Sequence, residues 1–210
     1  MSIKLKGSTD GSVTLQAPAD TSPTGTDKTF TLPTADGTSG QVLETNGSGA
    51  LSFANVTPFL EVDIWRLTAD KQGENNDVTA NLERVDDSYS SYIGTGMSQS
   101  SGIFTFPQTG IYFLLYTAQF VHDSDDNSNL QMFISTDGGT NWDQAAQCAD
   151  GNTAGNDRGG SATSFAIVDV TNTSNVKVKF RCDSFAVGSR LLGNSDHNET
   201  HFLFVRIGDT

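Results

Sequence analysis

Gly102-Ile-Phe-Thr-Phe-Pro107-Gln-Thr-Gly110-Ile-Tyr-Phe-Leu-Leu-Tyr-Thr-Ala-Gln-Phe120 is the densest apolar stretch of the chain. Ile103 to Phe106 has the length and residue usage of a short strand. Pro107-Gln108-Thr109-Gly110 then supplies a fixed φ and a permissive glycine for a turn, and Ile111 to Phe120 runs out as a longer strand. Along that longer strand Ile111, Phe113 and Leu115 fall on one face, and Tyr112, Leu114, Tyr116 and Phe120 on the other. Both faces are apolar. An antiparallel strand of a sandwich hides one face and wets the other, so a strand apolar on both requires a second covering layer. The segment His201 to Ile207 repeats the pattern, with Phe202 and Phe204 against Leu203, Val205 and Ile207. A neighbouring subunit is the expected cover, and covering loops are the alternative.

Outward from this pair the chain reads as strands separated by polar turns. Leu60 to Leu67, Val78 to Leu82, Leu130 to Ser135, a return from Trp142, Phe165 to Val170 and Val176 to Cys182 are strand-sized. Between them, His122 to Asn127, Asp150 to Ser161 and Ser189 to Asn198 read as polar loops. About eight to ten strands at this spacing predict an all-β protein, a sandwich or jelly roll. The 21 glycines and 13 phenylalanines, with no long helical pattern, agree.

Residues 1–57 differ in composition, being rich in Thr, Ser, Gly, Asp and Pro. Val13 to Leu15, Thr29 to Leu32 and Gln41 to Leu43 are apolar pulses, each followed by a breaker. Such pieces are too short for a core of their own. They predict an extended arm over 1–57 that orders by adding strands to a sister chain or a larger assembly, with a flexible leader as the alternative, and a knob domain over 58–210.

The chain carries 25 acidic and 12 basic residues among 210, a formal charge of −13 and a pI near 4.3. That balance disfavours nucleic acid and anionic membrane as partners. No apolar run reaches spanning length and the first residues lack the apolar core of a secretion signal, so synthesis in a cytoplasm and no membrane insertion are expected. Of the two cysteines, Cys182 shares a face with Val178 and Phe180 and reads as a small core hydrophobe; pairing with Cys148 stays open.

Candidate chemistry is sparse. Ser135-Thr-Asp-Gly-Gly-Thr-Asn-Trp142 matches the Asp-box pattern of sialidase-like propellers, but once rather than once per blade. Its expected role is a hairpin turn in which the carboxylate caps backbone N–H groups and the Trp packs beneath. The acidic cluster Asp123, Asp125 and Asp126, joined by Asp150 and Asp157 from another loop, is a candidate ligand or receptor surface, and Ca²⁺ is the one ion it would suit; it lacks EF-hand spacing. No metal site is assigned and no cofactor is expected. Ser195-Asp196-His197 are adjacent and cannot meet as a triad, and His122, His197 and His201 show no metal-ligand spacing. The chain is expected not to be an enzyme, and its function to lie in surfaces.

Two resemblances add to this reading. Ile3-Lys-Leu-Lys-Gly-Ser8, Gly11 to Ala19, Thr29 to Pro33 and Gly40 to Phe53 resemble, in order, the N-terminal module of virion structural proteins of marine tailed phages, notably cyanophages. This implies a bacteriophage particle component whose residues 1–57 mount it on capsid or tail proteins. The blocks Gly102 to Pro107 and Gly110 to Phe113, with the closing Thr200 to Val205, resemble the complement C-one-q and tumour-necrosis-factor-like globular heads. That resemblance implies a ten-stranded jelly roll packed as a homotrimer through aromatic faces. Tyr112, Leu114, Tyr116, Phe202 and Phe204 are the candidate trimer interface, although the sequence does not fix which face meets the neighbour. The expected function is a virion-surface structural protein, as a head decoration protein or a short tail or neck fibre touching a host receptor. The alternative is a lectin-like module using the acidic loops, Ca²⁺-dependent or not.

Overall fold

The computed structural model describes residues 19, 22, 24–55, 61–73, 75–123, 127–151 and 159–210, and the backbone alone of 2–6, 12–16, 126, 152 and 156–158. The chain divides into two units, Met1–Thr57 and Pro58–Thr210.

The first unit holds two antiparallel hairpins: β1 (Ser2–Lys6) with β2 (Ser12–Gln16), and β3 (Gln41–Thr45) with β4 (Leu51–Asn55). Thr31 adds one parallel bridge to Ala50. The expected strand at Thr29 to Leu32 is therefore only a single bridge, because Pro33 has no N–H to extend it. Phe30, Leu32, Leu43 and Phe53 are exposed in this unit.

In the second unit the elements are β5 (Val62–Leu67), β6 (Lys71–Gln72), β7 (Leu82–Arg84), β8 (Ser98–Ser100), β9 (Ile103–Thr105) and β10 (Gly110–Asp123). There follow β11 (Asp126–Ser135), β12 (Asp143–Asn152), β13 (Asn156–Val170), β14 (Lys177–Asp183), β15 (Arg190–Leu191) and β16 (His201–Gly208). Two sheets form. One carries β10 at its centre, with β13 on one edge and β16 and β15 on the other, continuing to β5, β7 and β6; its partner has the order β12-β11-β14-β9-β8. There is no helix among the described residues. The architecture is an all-β jelly-roll sandwich, as the strand spacing predicts.

Two stretches expected as loops are largely strand. β10 reaches Asp123 and β11 resumes at Asp126, while β12 extends to Asn152 and β13 begins at Asn156. These ends belong to the β10–β13 ladder of one sheet and the β11–β12 ladder of the other, so the chain crosses between sheets at both places. Ladder hydrogen bonds do not need apolar side chains, so polarity alone misled the reading.

The core is aromatic and drawn from both sheets. Tyr112, Leu114, Tyr116, Ala118 and Phe120 point inward from β10 and meet Phe104, Leu130, Met132, Val178 and Phe180. Phe180 lies 4.1 Å from Phe202 and 5.3 Å from Tyr116 between ring centroids, and Phe104 lies 5.1 Å from Phe204. The two buried phenols are satisfied: Tyr116 donates to the Leu130 carbonyl and Tyr112 to that of Gln108, each at 3.0 Å. Burial pushes the Tyr112 phenol up to about 12.

Candidate interaction surface

Tyr112, Leu114, Tyr116, Phe202 and Phe204, the residues assigned to a subunit interface, lie inside the chain's own sandwich at 0–1% exposure. That assignment is corrected: side chains already packed between two sheets of one protomer cannot also meet a neighbour. A subunit contact made by these strands would have to use their opposite face.

That face is built by register. Across β13, β10, β16 and β5, Phe165, Leu115, Leu203 and Ile64 stand in one row, and Ile167, Phe113, Val205 and Val62 in the next. Rows on one face of a sheet lie two residues apart along each strand, so the eight side chains form one continuous band. Phe165 is 62% and Ile167 57% exposed, and the rings of Phe113 and Phe165 are 5.7 Å apart. The band ends in polar rows. On one side Thr117 Oγ1 and Thr163 Oγ1 share a hydrogen bond of 3.0 Å beside His201, and on the other Asp169 faces Ile111. An apolar centre with a polar rim is the anatomy of a protein interface.

The acidic loops are less available than their sequence implied. The carboxylate of Asp150 is turned to His122 Nε2, 2.9 Å away. Gly160 opposes Asp150 so closely that a Cβ there would fall 1.6 Å from its Oδ2. The backbone N–H of Asp123 donates to Ser189 Oγ at 3.2 Å, with Gly188 against its carboxylate. The side chains of Asp125, Asp126 and Asp157 lie outside the described residues. Among the described residues no group of three or more His, Cys, Asp or Glu is arranged to hold a metal.

Ser195, Asp196 and His197 do not form a triad: Ser195 Oγ turns to Asp196 at 3.4 Å and His197 Nε2 to Glu199 at 3.3 Å. The fold does bring together another Ser, His and Asp that sequence reading missed, since they come from three strands. Ser128 Oγ is 3.4 Å from His122 Nδ1, whose Nε2 meets Asp150. Ser128 has no exposed surface and His122 is 1% exposed, stacked on Phe120 at 5.9 Å, so a substrate carbonyl has no approach. This cluster closes one end of the sandwich with satisfied polar groups.

The Asp-box stretch is the hairpin turn its residues predict. Asp137 accepts from Ser135 Oγ and from the backbone N–H groups of Thr140 and Asn141, and Trp142 Nε1 donates to the Gly139 carbonyl at 2.9 Å. These donors, those of Asn141 above all, hold the Asp137 carboxyl down at about 2. Leu130 stands opposite Cys148 on one side and Cys182 on the other. The cysteines are thus two strands, about 9.5 Å, apart, too far for a disulfide, and both are free.

The sandwich aligns with solved structures over nearly their whole length. The Eiger tumour necrosis factor from S. frugiperda superposes at TM-score 0.57 and 14% identity over 73% of this chain and 96% of that one. Murine APRIL does so at 0.51 and 16% over 70% and 98%. The chain has the tumour-necrosis-factor jelly-roll fold. The globular domain of zebrafish complement 1qA protein aligns at 0.46 and 16% over 71% and 99%. No protein-family model and no curated protein matches the sequence. The knob is therefore assigned to this fold on its geometry, and its role must come from its own surfaces.

Proposed function

We propose that this chain is the subunit of a homotrimeric, non-catalytic knob displayed on the surface of a virus particle, with residues 1–57 as the mount. The apolar band of β13, β10, β16 and β5 carries the reading. Phe165 and Ile167 stand exposed beside six half-buried apolar neighbours in one contiguous band, the kind of patch that marks an interaction site, and a specific interface removes about 800 Å² from each partner. A contiguous apolar band on one sheet face suits closure of copies around a threefold axis. The virion setting rests on the phage-like blocks between Ile3 and Phe53, and on the exposed apolar side chains of the β3–β4 hairpin. A two-stranded hairpin is marginal by itself and gains stability from a docking surface. Three mounts on one knob raise each other's effective concentration, so weak individual contacts suffice for retention.

Light scattering on the full chain should give a mass three times the 22.3 kDa of one protomer. Phe165→Asp should shift that mass to one protomer while the far-ultraviolet spectrum is kept; a monomeric parent, or a trimeric variant, removes the band from the interface. Immunogold with an antibody against the knob should label purified particles. Gold over the head fits a decoration protein and gold at the tail or neck an adhesion fibre, whereas unlabelled particles would overturn the virion setting.

A further inference from the structure

Between the edge strand β7 and the short strand β8 runs Asp86-Asp-Ser-Tyr-Ser-Ser-Tyr-Ile93. Tyrosine and serine in this proportion are the residues of recognition loops: tyrosine offers a large, rigid, amphipathic surface, and serine offers adaptable hydrogen bonds. The loop is held at its base. Asp87 receives Arg66 Nη1 at 2.8 Å and the Tyr89 hydroxyl at 3.0 Å, and its carbonyl accepts Ser90 N at 2.9 Å to close a turn. Ile93 is tied to Val62 by two backbone hydrogen bonds. The side chain of Arg66 is 1% exposed, so this anchor belongs to the body of the knob. Above it the Tyr89 ring stands 79% exposed and Tyr92 44%.

Tyr92 joins this loop to an open cleft of about 480 Å³ lined by Trp65, Arg84, Pro107 and the segment Thr95 to Gln99. The Arg84 guanidinium lies 4.4 Å from the Tyr92 ring centroid and 5.3 Å from that of Trp65. Its Nε is held by Asp63 at 3.0 Å and its Nη2 by the Met97 carbonyl. Nη1 has no hydrogen-bond partner among the described residues. Gly96, at φ +74°, permits this approach, since a Cβ there would sit 2.7 Å from Arg84 Nη2.

The chemistry of the cleft selects the ligand. Arg84 is neutralised by the buried Asp63, and Arg66 by Glu83 and Asp87 with the exposed Asp86 at 3.7 Å, on a chain of charge −13. Among the described residues of the loop and cleft no cation is left without a carboxylate to favour phosphate, sulfate or a sugar acid. Hydroxyl and amide groups of Thr95, Ser98 and Gln99 interrupt a lining that is otherwise mainly apolar, so the cleft offers both kinds of contact. What fits exposed rings beside neutral donors and acceptors is a ligand with apolar C–H faces and many hydroxyls. We propose that the Tyr89–Tyr92 loop and the Arg84 cleft form a binding site for a neutral glycan. The site is built from residues other than the acidic stretches around Asp123 and Asp150 and requires no metal.

Affinity electrophoresis of the full chain tests this, in native gels cast with dextran, laminarin or galactomannan as neutral probes and alginate or dextran sulfate as anionic ones. Retardation is expected in at least one neutral gel and in neither anionic gel. Tyr89→Ala and Tyr92→Ala should each weaken it about tenfold or more, as for an aromatic anchor. Tyr89 is 79% exposed and its hydroxyl donates to Asp87, so its variant stays folded even if Tyr92→Ala does not. No retardation in any neutral gel, retardation confined to the anionic gels, or unchanged retardation of Tyr89→Ala would each overturn the proposal. Mass by light scattering on the same samples reads the trimer separately.

Discussion

Asp137 shows how much one side chain does in the turn from Ser135 to Trp142. Its carboxylate accepts Asn141 N at 2.9 Å, Asn141 Nδ2 at 2.6 Å, Ser135 Oγ at 2.8 Å and Thr140 N at 3.1 Å. With its pKa lowered from 3.8 to about 2, the folded state binds the proton later than the unfolded chain does. The stabilisation is therefore complete above the unfolded value and is lost as pH falls through about 2. In Asp137→Asn the melting temperature should lie below the parent's at pH 6, and the gap should close toward pH 2. A gap that stays constant from pH 6 to 2 would mean that the charge on Asp137 is immaterial. This role was legible in the spacing Ser135, Asp137, Gly139 and Trp142, because a local turn is written in neighbouring residues. The Ser128, His122 and Asp150 cluster was not legible, because its members meet only through the registers of β10, β11 and β12.

At the scale of an element, β10 holds the clearest lesson. The alternation of Ile111 to Phe120 was plain, yet which set faces the core was not, since Phe113 and Leu115 are as apolar as Tyr112 and Leu114. The longer view decides it. The inward set stays apolar through Tyr116, Ala118 and Phe120, whereas the outward set turns polar at Thr117 and Gln119. β13 follows the same logic, with Ala162, Ala166 and Val168 inside and Phe165 and Ile167 outside. The β8–β9 hairpin turns on Ser101 and Gly102, whose φ angles are +50° and +79°. Two positive φ values at the centre of a two-residue turn match the strand twist. A Cβ at Gly102 would fall 1.9 Å from the Val78 carbonyl oxygen. Gly102→Ala should cost about 2–4 kcal/mol, combining left-handed strain with displacement of backbone. Ser101→Gly should be neutral or slightly stabilising, since glycine enters that region freely. Urea midpoints measure both, and a Gly102→Ala midpoint equal to the parent's would contradict the packing against Val78.

At the scale of the molecule, one sheet has two apolar faces with different duties, and paired substitutions separate them. Tyr116 is fully buried, meets Phe180 at 5.3 Å and donates to a carbonyl of the facing sheet. Phe165, on the adjacent strand β13 and opposite Leu115, points to solvent in the single chain. A carboxylate at 116 would be sealed among aromatic rings without a cation, which costs more than the few kcal/mol by which domains of this size are stable. At 165 a carboxylate remains hydrated in the single chain, and it would be desolvated only in the proposed trimer. Tyr116→Asp should therefore fail to give soluble protein, and Phe165→Asp should give soluble monomer with a cooperative melt. Were the two faces exchanged, Tyr116→Asp would be the soluble monomer and Phe165→Asp the insoluble chain, so expression, mass and melting of this one pair decide which face closes the core and which one meets the neighbour.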